Sequence, residues 1–334
     1  MRQVLVPLKV DSQLPPAGSA IAHAGGSSMG TSWSVQAVTA PGTGLHALAE
    51  RMQDELDLVV AQMSHWEPDS NLSRYNSAPA GSWHQLPDPF YTVLDYALAV
   101  ADASGGAYDP CAGALINCWG FGARNRFDEP AFYAPGAAAV DAIMARGDRG
   151  RIRLDPTARR LLQPGGVQLD LSSVAKGYAV DRLAHSLAAL GIRHYLVEVG
   201  GELRGAGAKP DGQPWWVALE GVPDAGGDTA VLALHGLSVA TSGDYRRHFQ
   251  MGAQRASHTL DPRSGYPIRN DVASVTVIHP DCMAADALST ALTVLGPDAG
   301  LALADAQRFA ARFLLRRPGA LQEVQSAAWK DMLQ

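Results

Sequence analysis

The 334-residue chain has only three cysteines, Cys111, Cys118 and Cys282. They stand in neither a CxxC nor a zinc-type spacing, and an odd number makes a poor disulfide framework, so they read as buried or free thiols. Charge is also sparse: charged residues make up 18% of the chain, with a net charge of −6. Both signs are intermixed and no long basic run occurs, which argues against a nucleic-acid groove or an anionic membrane surface and favours a small-molecule or protein partner. No apolar run approaches the roughly 18 residues of a membrane span. The opening residues 1–10 offer only Val4-Leu5-Val6 before Pro7. Neither a signal peptide nor a lipid-attachment cysteine is read there, so a cytoplasmic protein is expected, or a periplasmic one if the sequence is a mature or alternatively started form.

Core-forming material is plentiful. Hydrophobic residues make up 47% of the chain, enough at this length for one large domain or two closely joined ones. Residues 1–28 are expected to form a flexible N-terminal arm, because 11–30 is rich in Pro, Gly, Ser and Ala without periodicity. One folded domain is expected over 29–334. Alternation over 31–39 predicts a strand, and Leu45, Leu48, Met52, Leu56, Val59, Val60 and Met63 fall at helical spacing. A polar loop with Trp66, Ser70 and Asn76 follows, then a helix over about 89–103 that Gly105-Gly106 ends. Strands are predicted at 152–154 and 167–171, before a helix capped by Ser172 or Ser173 that runs to Leu190. Further strands are predicted at 194–199, 215–219, 230–234, 246–250, 273–278 and 311–315. Strand runs outnumber strand–helix–strand alternations, so the predicted fold class is mixed α+β with largely antiparallel sheets and packed helices.

Chemistry-bearing residues gather in a few segments. Asp286 and Thr290 stand four apart on an otherwise apolar helix, hence on one face. A carboxylate beside a hydroxyl suits a hard cation such as Mg²⁺, although alone the pair is equally an acid satisfied by neighbouring backbone. The segment from Leu169 to Asp181 ends a strand with Asp170 and opens a helix carrying Lys176 one turn inside. Helix-end N–H groups suit a phosphate there, and an ordinary ion pair of Lys176 with Asp170 or Asp181 is the alternative. Aromatics among glycines, in Gly106-Ala107-Tyr108-Asp109-Pro110 and Trp119-Gly120-Phe121-Gly122, allow close approach of a flat ring. His258 lies in a polar turn some twenty-five residues before the Asp286 helix.

Taken in order, these segments resemble the ApbE-type FAD:protein FMN transferases. The motifs are Met29-Gly30-Thr31, the loop at 70–76, the two aromatic–glycine runs, the 169–181 segment, Thr241-Ser242-Gly243-Asp244-Tyr245-Arg246-Arg247, Ser257-His258-Thr259-Leu260-Asp261-Pro262-Arg263-Ser264-Gly265 and the Asp286 helix. The resemblance runs from Met29 to about Gly296 and implies a T-fold-like α+β architecture. It also implies an Mg²⁺-dependent enzyme that moves FMN from its substrate FAD to a threonine hydroxyl of an acceptor flavoprotein, releasing AMP. By that resemblance Met29, Trp66, Ala107, Tyr108, Asp109, Asp170, Lys176 and Leu260 contact FAD. Asp286 and Thr290, with the main-chain carbonyl of Ser173, hold the metal, and His258 is the base for the acceptor hydroxyl. Ser289 joins the metal set where some members carry a second metal-binding acid, which lowers the negative charge of the site. Cys111 stands where the family commonly has Thr or Ser. Two other readings stay open: an FAD diphosphatase, in which water attacks and FMN and AMP are released, and a non-catalytic FAD-binding protein.

Overall fold

The computed structural model describes residues 3–10, 13–40, 45–223, 230–252 and 254–334. Helix Leu45–Met63 forms over the predicted span: Leu48, Met52, Leu56, Val59 and Met63 recur every three or four residues and are all buried. That stripe shares one core with helices Asp88–Ala103, Ala175–Ala189 and Cys282–Gln307 and with Trp33, Val35, Val197, Val275 and Phe313 of the main sheet. The sheet has eight strands, in the order Ala320–Gln325, Ala310–Arg317, Val272–His279, Leu237–Gly243, Glu202–Ala206, Tyr195–Val199, Thr31–Thr39 and Ala20–Ser28. Every neighbouring pair in it is antiparallel, as the strand-rich pattern predicts. Strand Val272–His279 is buried at every residue but its last, because helices cover one face and a second core lies on the other. This second core joins Leu5, Trp215, Leu232, Ile278 and Trp329 around a small sheet of Gln3–Leu5, Ala230–Leu234 and Trp215–Ala218.

Several expectations are corrected. The described part of the N-terminal arm is not free: Ala20–Ser28 pairs residue for residue with Thr31–Thr39, and Gln3–Leu5 pairs in parallel with Ala230–Leu232. An edge strand needs backbone partners on one side only, so a Gly- and Ser-rich sequence can supply one without the apolar alternation that reveals a central strand. The expected boundary at Met29 therefore falls inside a hairpin. The expected strand at 167–171 makes only an isolated bridge, Gln168 to Ala112. The unexpected strand Arg160–Gln163 pairs with Ser82–Gln85 and Arg153–Asp155. Helix Ala175–Ala189 starts after Val174 with no side-chain cap, because Ser172 turns back to Asp170.

Helix Cys282–Gln307 is, by length and composition, apolar enough to cross a membrane, although polar residues interrupt its apolar run. It is a core helix, broken at Gly296 (φ 77°) ahead of Pro297 and buried at fourteen residues including Asp286.

Candidate active site

Two helices meet at a glycine. A Cβ on Gly177 would lie 2.3 Å from the Cys282 carbonyl oxygen and 2.7 Å from Asp286 Cβ, so only glycine lets Ala175–Ala189 approach Cys282–Gln307 this closely. One turn on, the Asp181 carboxylate accepts the N–H groups of Cys282 (3.0 Å) and Met283 (2.9 Å). It thereby supplies the N-terminal cap that the side chain of Asp281 does not. Arg204 pairs with the same carboxylate. Asp286 is thus fixed against the start of the other helix, where its Oδ2 accepts the Gly177 N–H at 2.9 Å. The N–H that the sequence offers to a phosphate is directed to Asp286 instead.

Asp286 is 4% exposed. Burial raises its pKa, against the pull of Lys176, the Gly177 N–H and Arg246. Lys176 Nζ lies 2.5 Å from Glu202 Oε1 and 4.0 Å from Asp286 Oδ1, so neither Asp170 nor Asp181 is its partner. Burial disfavours the ammonium, but Asp286 and Glu202 outweigh it and hold its pKa above the usual lysine value. Glu202 is 3% exposed, and burial, partly offset by Lys176, pushes its pKa up to about 7. Glu202 begins a strand immediately after Gly200-Gly201; local pattern marks the turn and says nothing of a buried acid beyond it.

Hydroxyls line the next turn of the Asp286 helix. Ser242 Oγ lies 2.8 Å from Ser289 Oγ and 3.1 Å from Thr290 Oγ1. Ser289 also donates to the main-chain carbonyl of Asp286 at 2.8 Å, which occupies it within its own helix. Ser242 belongs to a motif that the sequence marks without assigning it a role. Ser173 Oγ donates to the Tyr108 hydroxyl at 3.3 Å. Tyr108 is buried, and burial drives its phenol pKa far up against the Ser173 hydrogen bond, with Asp286 and Asp170 adding to the rise. Tyr108 therefore stays neutral. Among the described residues no three His, Cys, Asp or Glu side chains cluster as a metal site. One carboxylate with hydroxyl and carbonyl oxygens is nonetheless a hard, sparse donor set of the sort Mg²⁺ accepts when water and phosphate complete its shell.

A second group gathers around Asp170. Asn76, at the end of short helix Asn71–Asn76, donates to the Leu169 carbonyl at 2.8 Å and accepts the Leu169 N–H at 2.7 Å, pinning the segment. This helix lies where only a loop is expected; Ser70 caps it by accepting the Ser73 N–H at 2.9 Å. Asp170 Oδ1 accepts from Ser172, and His65 Nδ1 lies 3.3 Å from Oδ2. The rings of His65 and Trp66 are 5.1 Å apart. Trp66 is 48% exposed, with the Arg126 guanidinium 5.6 Å above its ring. Met29 turns the hairpin at φ 53° ahead of Gly30 at φ 72°, a two-residue reversal that suits strand twist. Asp109 closes its own turn by accepting the Cys111 N–H at 2.8 Å, and Ala107 is buried beside it.

His258 and Leu260 form a third group with aromatic rings. His258 follows the two-stranded hairpin His248–Met251 and Gln254–Ser257, and Phe121 meets its ring edge-on at 6.2 Å. Phe249 stacks on Phe127 at 5.9 Å, and Leu260 packs with Phe121 and Trp119. His258 Nδ1 lies 3.0 Å from the Arg247 carbonyl oxygen. A carbonyl only accepts, so Nδ1 carries the proton and Nε2 is left with its lone pair. Desolvation pushes the ring pKa down to about 4, against the Arg247 carbonyl bond, and the ring is neutral at pH 7. A cleft of about 1000 Å³, lined by Pro7, His194, His235, Phe309 and Met332 among others, opens at the other ends of the strands and holds none of the predicted residues.

The fold and site define a class: a largely antiparallel α+β protein in which two helix starts bring together a buried acid, a lysine and hydroxyls, and which carries an oriented histidine on a separate turn. The ApbE family model matches residues 29–313. A Haemophilus influenzae protein named FAD:protein FMN transferase is 34% identical over 320 residues, covering 92% of this chain and 90% of its own. The solved structure of the Pseudomonas stutzeri flavinyl transferase ApbE in its apo form has a TM-score of 0.85 at 36% identity, covering 94% of this chain and 97% of its own. The flavin transferase ApbE from Vibrio cholerae has a TM-score of 0.86 at 33% identity, covering 94% and 100%. The chain belongs to the ApbE family.

Proposed function

We propose that this chain is an Mg²⁺-dependent FAD:protein FMN transferase that moves FMN from FAD to a threonine hydroxyl of an acceptor flavoprotein and releases AMP. The observation that carries the reading is His258, neutral and oriented by the Arg247 carbonyl so that Nε2 is free to accept a proton. In the step, the threonine hydroxyl gives its proton to Nε2 and its oxygen bonds to the FMN phosphorus. The bond from that phosphorus to the bridging oxygen breaks, and the oxygen leaves with AMP. Asp286, Thr290 and the Ser173 carbonyl would hold the cation, which when bound neutralises charge building on the leaving diphosphate oxygen. Lys176 supplies a fixed positive charge beside Asp286. Trp66 and Tyr108 offer the flavin or adenine a flat face, with Met29, Ala107, Asp109, Asp170 and Leu260 as further FAD contacts.

Incubation with FAD, Mg²⁺ and candidate acceptors, with AMP and protein-bound flavin quantified together, tests the reading. Equimolar AMP and bound flavin are expected. AMP with free FMN and no bound flavin would establish the diphosphatase instead, and no AMP at all would leave an FAD-binding protein.

A further inference from the structure

The Lys176 ammonium stands between two buried carboxylates, and it is placed unequally. It is 2.5 Å from Glu202 Oε1 and 4.0 Å from Asp286 Oδ1. Asp286 spends Oδ2 on the Gly177 N–H, so Oδ1 is the oxygen left for a cation, and Lys176 is the internal cation that competes for it. Glu202 Oε2 is buried with no hydrogen-bond partner among the described residues, an arrangement that costs stability and so calls for a role beyond packing. Arg246 lies on the same side: a Cβ on Gly201 would meet its guanidinium at 3.2 Å. Its own partner is Glu220, so it does not relieve Glu202 of Lys176.

We propose that Glu202 is a positioning residue that holds the Lys176 ammonium off Asp286 and so keeps the Asp286 carboxylate available to a divalent cation. The proposal rests on the metal reading above. Without Glu202, Asp286 is the one acid among the described residues that neighbours the lysine, and the lysine closes on it. A divalent cation must then displace an ammonium from its own ligand, and a unit charge a few ångströms away in a half-desolvated site changes affinity by about tenfold or more. Glu202 thus acts through Lys176 and need not touch the metal.

Mn²⁺, counted as free ion by electron paramagnetic resonance, serves as the probe on the full chain without FAD, so that affinity is read independently of turnover. Glu202→Gln is expected to bind Mn²⁺ about tenfold more weakly than the parent. Lys176→Met is expected to bind more tightly than the parent, although it removes a residue of the site. The double variant Lys176→Met with Glu202→Gln is expected to recover at least parental affinity. Circular dichroism checks that each variant is folded. If Glu202→Gln does not fold, Lys176→Met and the double variant decide, since removing both members of a buried pair is tolerated better than removing one. The proposal is overturned if Glu202→Gln folds and binds like the parent, if Lys176→Met weakens binding, or if the double variant stays weak. Failure of the parent itself to bind Mn²⁺ would overturn the metal reading and this proposal together, whereas parental binding with unmoved variants would overturn this proposal alone.

Discussion

The two halves of the site are built differently. Lys176 and Asp286 lie near the starts of two long helices, and Glu202 and Ser242 lie on central strands of the eight-stranded sheet. Trp66, Phe121, Phe127, Phe249 and His258 sit on loops and a two-stranded hairpin at the rim. A charge network loses much of its value when a partner moves by an ångström in a desolvated site, so it belongs on elements whose positions the core fixes. Flat rings meet other rings over several ångströms of tolerance, and the surfaces that receive a bulky substrate and a protein partner have to open. On this account the charged half holds the cation and the diphosphate, and the rim holds the flavin and the acceptor and carries the base, His258.

The comparison breaks most completely at Asp286. Asp286→Ala is expected to abolish Mg²⁺-dependent transfer while the far-UV circular dichroism stays parental, and full activity at limiting Mg²⁺ would remove Asp286 from the metal. His258→Ala, which removes the base carried by the rim, is expected to lower transfer by ~10²–10⁴-fold with the dissociation constant for FAD little changed. A loss accounted for wholly by weaker FAD binding would contradict that role.

Because the ring pKa is about 4, below the ordinary 6.5, His258 is neutral from pH 7 down to about 5. The His258 contribution to the rate, read at saturating Mg²⁺, should therefore hold over that range and fall only as pH approaches 4. The sign for stability agrees: the unfolded chain gains a proton on this histidine first, so its neutral burial destabilises the fold progressively as pH drops from about 6.5 through 4. An acid limb centred near 6.5 in the pH–rate profile that persists in Glu202→Gln would show that the ring is not desolvated as described.

Gly177→Ala should destabilise by roughly 1–3 kcal/mol in thermal unfolding, since the added methyl meets backbone that cannot move aside. The smallest effect is expected at the exposed ring of the rim. Trp66→Ala should weaken FAD binding by about 1 kcal/mol in a fluorescence titration, the worth of one ring contact. A Trp66 effect as large as that of Asp286 would erase the distinction between the halves.

The sequence is legible where one element carries its own pattern. Leu45–Met63 and Thr31–Thr39 form over the predicted residues because each buries a regular stripe or alternation. Asp286 and Thr290 are legible because four residues on a helix define a face. Ala20–Ser28 is not, since its pairing is satisfied by backbone and its composition imitates a linker. Glu202 and Asp181 are hidden for another reason. Their roles are a grip on Lys176 from a strand and a cap on a helix 101 positions away in sequence, which no local window contains. His65 is likewise an ordinary histidine until the fold places it 3.3 Å from Asp170.

The most direct test of the whole account is the intact mass of an acceptor flavoprotein after incubation with the enzyme, FAD and Mg²⁺, followed by fragmentation to place any adduct. The account predicts one added FMN moiety on a threonine, present with Mg²⁺ and absent when the metal is chelated. An acceptor of unchanged mass while FAD is consumed would contradict it.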